Sequence, residues 1–208
     1  MIQHAPGGAR AGRRPTVDLD RLLVVAAELA DDSGLDAVTF RALGARLDVS
    51  AMAVHRASGG IDALRHALIA ALVEDAVAEL EWPTDWHGIV RTFAYGLRDL
   101  LLRHPLVLEA HRQASLDAPG ADDVAHRVVE ALEGAGLSPE HAAYGYAAVH
   151  DFVTGHVAIR LGRGESELLD IPQTRRDASV FAEHHDYERR FDVGLALLIA
   201  GLDHTAAA

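Results

Sequence analysis

Apolar residues recur every three to four positions along nearly the whole chain, and no stretch alternates apolar with polar residues between hairpin turns. That spacing predicts an all-α protein. The first helix is expected over 18–33, where Leu19, Leu22, Leu23, Ala26 and Ala30 share one face and Gly34 supplies the stop. Two short helices come next. Thr39 caps one that ends near Leu47, Asp48 and Val49 form a turn, and Ser50 caps another reaching Ala57, before Ser58-Gly59-Gly60 breaks the chain. Longer helices are expected over 61–80, closed by Trp82-Pro83, and from Thr84 or Asp85 to 103. Pro105 opens a short helix to Ala114, 116–120 reads as a loop, 121–133 as a helix and 134–137 as a turn. Ser138-Pro139-Glu140 combines a cap, a first-turn proline and an acid at the positive end of the helix dipole, so a helix should run from there to 163. A loop over 162–173, extended by a mobile segment to 186, leads to a last helix over 187–205.

Two short helices joined by a tight turn, behind a longer one, form the helix-turn-helix pattern, whose later helix lies in the major groove of DNA. Ser50, Ala51 and Met52 at its N-terminal end would then face base edges, with Thr39 at the start of the preceding helix and Arg41, His55 and Arg56 placed to reach phosphates. Arg13 and Arg14, on a Gly- and Pro-rich arm, are suited to a minor groove. The expected organisation is a flexible arm over 1–16, a helix-turn-helix head over 17–66, and a helical ligand-binding and dimerisation domain over 67–208.

The run Gly34-Leu35-Asp36-Ala37-Val38-Thr39-Phe40-Arg41-Ala42-Leu43, followed by Leu47-Asp48-Val49-Ser50-Ala51-Met52-Ala53-Val54, resembles the TetR (tetracycline repressor) family of bacterial regulators. Further on, Leu101-Leu102-Arg103-His104-Pro105, the stretch from Ser138 through Tyr144 and Phe152 to Gly155, and 191–202 look like the sixth, eighth and last helices of the tetracycline-repressor class. The resemblance implies a homodimer in which the last two long helices of each subunit form a four-helix bundle. It also implies a small-molecule effector and a palindromic double-stranded operator. The sequence departs from the family pattern at three places. His55 stands where the family usually has Tyr, Ala57 where it has His, and Ile61 where it tends to have a Lys that meets phosphate.

The last helix is apolar on more than one face. Phe191, Leu195, Leu198 and Leu202 form the stripe assigned here to the dimer interface, and Val193, Leu197 and Ala200 lie off it, so the helix needs partners on two sides. The effector should bind between the fifth and eighth helices, since bundles build sites from facing side chains. The candidates are His104, Leu108, His111, Arg112, Tyr146, His150, Phe152 and Thr154.

Charge sharpens this reading. Residues 1–66 hold as many Arg as Asp and Glu, so the whole net charge of −12 falls on the rest of the chain. A neutral, Arg-bearing head on an acidic body suits a head that approaches phosphate and a body that does not. The chain has no Cys, which excludes disulfides and thiolate metal sites. It has 13 His, but no two lie three or four apart, so no single helix offers a metal-binding pair. No nucleophile elbow, phosphate loop or zinc-protease motif is present, and Gly162-Arg163-Gly164 follows a helix, not a strand. The first residues carry no apolar stretch, so a cytoplasmic protein is expected. The combined reading is a ligand-responsive transcriptional repressor, not an enzyme and without a cofactor. The departures at His55, Ala57 and Ile61 keep an alternative open: a TetR-like protein that no longer reads DNA and serves as a small-molecule binder or an enzyme.

Overall fold

The computed structural model describes residues 17–112, 119–163 and 186–207. Arg13, Arg14, the arm over 1–16, residues 113–118 of the expected helix end and loop, and residues 164–185 of the expected loop and segment over 162–186 lie outside the described residues, as do the side chains of His111 and Arg112.

Nine α-helices and no strand occur among the described residues. Local chemistry sets most of their ends. Helix α1, Leu19–Ser33, starts where the Asp18 carboxylate accepts the Asp20 N–H at 3.3 Å. It stops at Gly34, whose φ of 80° is open to glycine. A single 3-10 turn, Leu35–Ala37, which the periodicity did not reveal, carries the chain to α2, Phe40–Leu47. The Thr39 hydroxyl accepts the Ala42 N–H at 3.2 Å, and Asp48 closes α2 in the left-handed region at φ 55°. Ser50 caps α3, Ala51–Ser58, by accepting the Ala53 N–H at 3.2 Å. Helix α4, Ile61–Ala78, ends two residues before the expected Leu80.

Helix α5, Trp86–Arg103, is capped by the Asp85 carboxylate and is followed directly by α6, Pro105–Arg112. Helix α7 spans Pro119–Gly134, so Pro119 and Gly120 belong to the helix and not to the expected loop. The reason is the usual one for proline: its missing N–H costs nothing at the first helical position. Helix α8, Pro139–Arg163, begins at the cap that Ser138 makes to the His141 N–H. Helix α9, Tyr187–Ala206, begins at the cap that Asp186 makes to the Arg189 N–H.

The buried side chains form two clusters. One starts in the head with Leu22, Leu43, Val54, Leu64 and Leu68, and continues through Leu101, Leu106 and Val107 to Val157 of α8. The other fills the body between α5, α7, α8 and α9, around Phe93, Val128, Val153, Phe191 and Leu195. The head therefore shares a core with α4, α5 and α6. Two polar contacts reinforce that join. Arg65 donates from Nη2 to the Leu35 carbonyl at 3.3 Å, and Asp31 on α1 pairs with His104 Nδ1 at 2.9 Å. The second pair is partly exposed, so its worth is at most about 1 kcal/mol; the shared apolar core is the stronger link.

Helix α9 reverses the expected assignment of its faces. Phe191 and Leu195 are sealed inside the chain's own core, and Leu198 and Leu202 pack against the same cluster. Gly194 makes this packing possible, because a Cβ there would fall 2.6 Å from the Phe152 ring. Burying a side chain the size of Phe191 contributes about 2–3 kcal/mol to the monomer, so Phe191 and Leu195 are not available to a partner, while Leu198 and Leu202 stay partly exposed. The surface left apolar is the opposite one: Val193 and Leu197 are 53% and 69% exposed, and Tyr144 and Ile159 of α8 are exposed as well.

Gly44 sets the spacing between α2 and α3. A Cβ there would lie 2.7 Å from the Val49 carbonyl oxygen and 3.2 Å from the Ala51 nitrogen, both backbone atoms. In an open helix Gly→Ala gains about 1 kcal/mol; overpacking against rigid backbone costs about 1–3 kcal/mol. Gly44→Ala is expected to destabilise the head by about 1–2 kcal/mol, read as a lower urea midpoint by circular dichroism. An unchanged or higher midpoint would show that the turn has slack.

Candidate functional site

The helix-turn-helix presents a continuous polar face. Ser50, Ala51, Met52, His55 and Arg56 are exposed on α3 and its cap, and Thr39 and Arg41 are exposed at the start of α2. Met52 is 64% exposed, which no packing requirement explains. The His55 ring stands edge-on to Phe40 with centroids 5.1 Å apart, so it is held in place while remaining at the surface. The arginines divide by role. Arg46 pairs with Asp32 at 3.3 Å and Arg65 with Asp36 at 3.7 Å. Arg41 and Arg56 have no acidic partner among the described residues.

The departures from the family pattern now have a packing account. Ala57 and Ile61 are half-buried against the head core, so both positions serve the interior. A lysine at 61 would give up that contact for a charge.

Below the head, a cavity of about 330 Å³ lies between α4, α5, α6, α7 and α8. Its walls are mainly apolar, with Val73, Ala76 and Val77 contributed by α4, Leu80 by the segment that follows it, and Val107 by α6. Phe93 and Tyr146 stack at 5.2 Å between centroids with 30° between planes, and His150 continues the row 6.5 Å from Phe93. Among the described residues, four polar side chains line it: Asp122, Tyr146, His150 and Thr154. The Thr154 hydroxyl is buried and has no hydrogen-bond partner among the described residues. Burial pushes the Tyr146 phenol above its ordinary pKa, and the nearby Asp122 carboxylate pushes it further the same way, so it stays a hydrogen-bond donor at neutral pH.

Among the sequence-derived ligand candidates, Tyr146, His150 and Thr154 come together on this wall. Three others lie elsewhere. His104 is turned to Asp31 of the head. Leu108 is buried in the head-side cluster. Phe152 packs on Phe191 at 5.5 Å, on the α9 side of α8. Sequence reasoning missed Phe93, Leu97 and Asp122. Phe93 and Leu97 sit in a broad apolar stripe on α5, and nothing in such a stripe separates residues facing a void from residues facing a core.

Among the described residues, no group of three or more His, Asp or Glu is placed to hold a metal ion, and no helix is long and apolar enough to cross a membrane.

Residues 81–206 match the sequence model described as "Tetracyclin repressor-like, C-terminal domain". The chain is 24% identical over 161 residues to the HTH-type transcriptional repressor DrrR1 of Streptomyces coeruleorubidus, covering 75% of this chain and 58% of that repressor. The solved TetR family protein ActR of Streptomyces coelicolor, in complex with (S)-DNPA, superimposes with a TM-score of 0.69 at 26% identity, covering 91% of this chain and 98% of that one. The ActR complex with actinorhodin gives a TM-score of 0.72 at 25% identity, covering 92% and 99%.

A buried hydroxyl without a partner costs about 1–3 kcal/mol of desolvation. Thr154→Val keeps the shape and removes the hydroxyl. The variant is expected to raise the thermal midpoint of the ligand-free protein, with a gain of about 1 kcal/mol measured by scanning calorimetry. A fall instead would mean that the hydroxyl already has a partner in solution.

Proposed function

The chain is a member of the TetR family of transcriptional regulators, and from that premise we propose that it is a homodimeric repressor whose hold on operator DNA is set by a small molecule bound in the cavity. The observation that carries this reading is the position of α4. Its first half, through Leu64 and Leu68, belongs to the head core, and its second half, through Val73, Ala76 and Val77, lines the cavity. An occupant that prefers one setting of α4 therefore biases the head. The size of the response is the ratio of the ligand's affinities for the two settings.

The flat exposed face of α8 and α9, with Tyr144, Ile159, Val193 and Leu197, supports a two-fold contact through these helices. Such a dimer carries two α3 helices for two half-sites. The proposed domain division follows the same lines, with an arm over 1–16, a DNA-binding head over 17–66 and a ligand and dimer domain over 67–208. ActR was solved with (S)-DNPA and with actinorhodin, which supports a small-molecule role for the corresponding space here. Ile61, apolar where the family tends to place a phosphate-binding lysine, favours a second reading: a ligand binder that has left DNA.

Operator binding separates the two. Fluorescence anisotropy with the DNA beside the chain's own gene should show specific binding that weakens linearly in log–log salt plots. Arg41→Ala and Arg56→Ala should each flatten that slope by about one. Absence of specific binding at low salt would favour the second reading.

The dimer has its own test. Leu197→Asp should turn the dimer into a monomer in sedimentation equilibrium while leaving the helical circular dichroism spectrum intact, because the side chain makes no core contact. A charge at the centre of such an interface costs about 2 kcal/mol or more per subunit. A dimer of undiminished strength would move the interface elsewhere.

A further inference from the structure

Among the described residues that line the cavity there is one carboxylate, and His150 is the one basic side chain. Asp122, in the first turn of α7, lines the cavity, and no arginine does. Its backbone carbonyl accepts from His126 Nδ1 at 2.8 Å, but its carboxylate has no partner among the described residues. That carboxylate lies close enough to the Tyr146 phenol to act on its ionisation. Asp122 is exposed and so stands at the rim, while the Thr154 hydroxyl is buried and unpartnered among the described residues. The rings of Phe93 and Tyr146 lie on the same wall.

The geometry points to a cavity that takes a planar aromatic molecule carrying a protonated amine, its rings against Phe93 and Tyr146, a polar group on Thr154 Oγ1, and its ammonium beside Asp122. This deepens the reading of the cavity as the effector site and rests on it. A carboxylate ligand would bring like charge to Asp122 and meet no arginine on the described wall. A neutral arene would leave the exposed Asp122 carboxylate facing water at the rim and gain nothing from it. An ammonium answers both: it pairs with the carboxylate and is attracted to the π faces beside it. Asp123, one residue on, is equally exposed in the same helical turn but does not line the cavity. The helix dipole would favour an acid at either position, so the two residues separate a ligand role from a helix-stabilising one.

The test uses three fluorescent probes of one shape on the full-length protein: 9-(aminomethyl)anthracene, 9-anthracenemethanol and anthracene-9-carboxylate. Fluorescence titration should rank them in that order, with the amine bound about tenfold or more tighter than the carboxylate. Asp122→Asn should bring the amine and the carboxylate to within about threefold of each other, and Asp123→Asn should leave their ratio as in the native protein. Equal affinities, a preference for the carboxylate, or the same effect from Asp123→Asn would overturn the charge selection. The underlying cavity reading is checked separately by filling the space with Ala125→Trp, and with the milder Ala125→Leu should the first variant not fold. Loss of all three probes keeps the cavity as the binding place whatever their ranking. Undiminished binding by the filled variants, or no binding of any probe to the native protein, would overturn the cavity reading and the amine preference with it.

Discussion

Helix α4 must satisfy two packings with one rigid rod. Leu64 and Leu68 are sealed in the head, and Val73, Ala76 and Val77 face the cavity one to three turns further on. An α-helix transmits displacement along its axis with little internal give, because its hydrogen bonds lie along that axis. Any change that the cavity imposes on the second half of α4 must therefore be absorbed where the first half meets α1, α2 and α3. The head cannot absorb it by loosening. Gly44 lets the backbones of α2 and the turn come within van der Waals limits, and Val38, Leu43 and Val54 are sealed around them. What remains is for the head to move as a body. On the proposed reading, this is how a cavity distant from α3 would bear on α3.

The cavity lies where the two cores meet, lined by Val73, Leu100, Leu101 and Val107 of the first and by Phe93 and Val124 of the second, and it is a weak point of both. Protein interiors are packed to crystal density, and a void of this size leaves its apolar lining without partners on one side. The structure is then stable only because the surrounding helices are held by other contacts: α5 and α9 by Phe191 and by Arg98, which pairs with Glu188 at 2.7 Å, and α7 by Val128 and Leu132. Filling the void restores lost dispersion contacts without requiring those helices to part. On the proposed reading a ligand would be bound by elements that are already in place, and its energy would be free to act on α4 and α6, which border both the void and the head.

Much of this was legible in the residues. Thr39, Ser50, Asp85 and Ser138 cap helices as their chemistry predicts, since a cap depends on a few neighbouring atoms. The two short head helices followed from the same signals. What could not be read was the direction in which a doubly apolar helix faces. Phe191, Leu195, Val193 and Leu197 are all apolar, and only tertiary packing shows that the first two are inside and the last two outside. The cavity was half legible for a related reason. Tyr146, His150 and Thr154 repeat at four-residue spacing on α8 and signal a face with polar groups, whereas Phe93 and Leu97 on α5 look like any core stripe. His104 misled because its actual partner, Asp31, is 73 residues away in sequence.

The acidity of the body is no obstacle to a DNA-binding head, and distance explains why. At physiological salt a charge is screened over about 8 Å. A helix with its side chains is about 10–12 Å across, so the thickness of the head alone places α5, α7, α8 and α9 beyond the screening length from a phosphate in contact with α3. The net charge of −12 therefore acts on approach more than on the docked state. It repels DNA from every side but the head, where Arg41 and Arg56 are left without acidic partners while Arg46 and Arg65 are neutralised. On the proposed reading orientation would be selected before contact, and the short-range work of binding would fall to the few exposed side chains of α2 and α3.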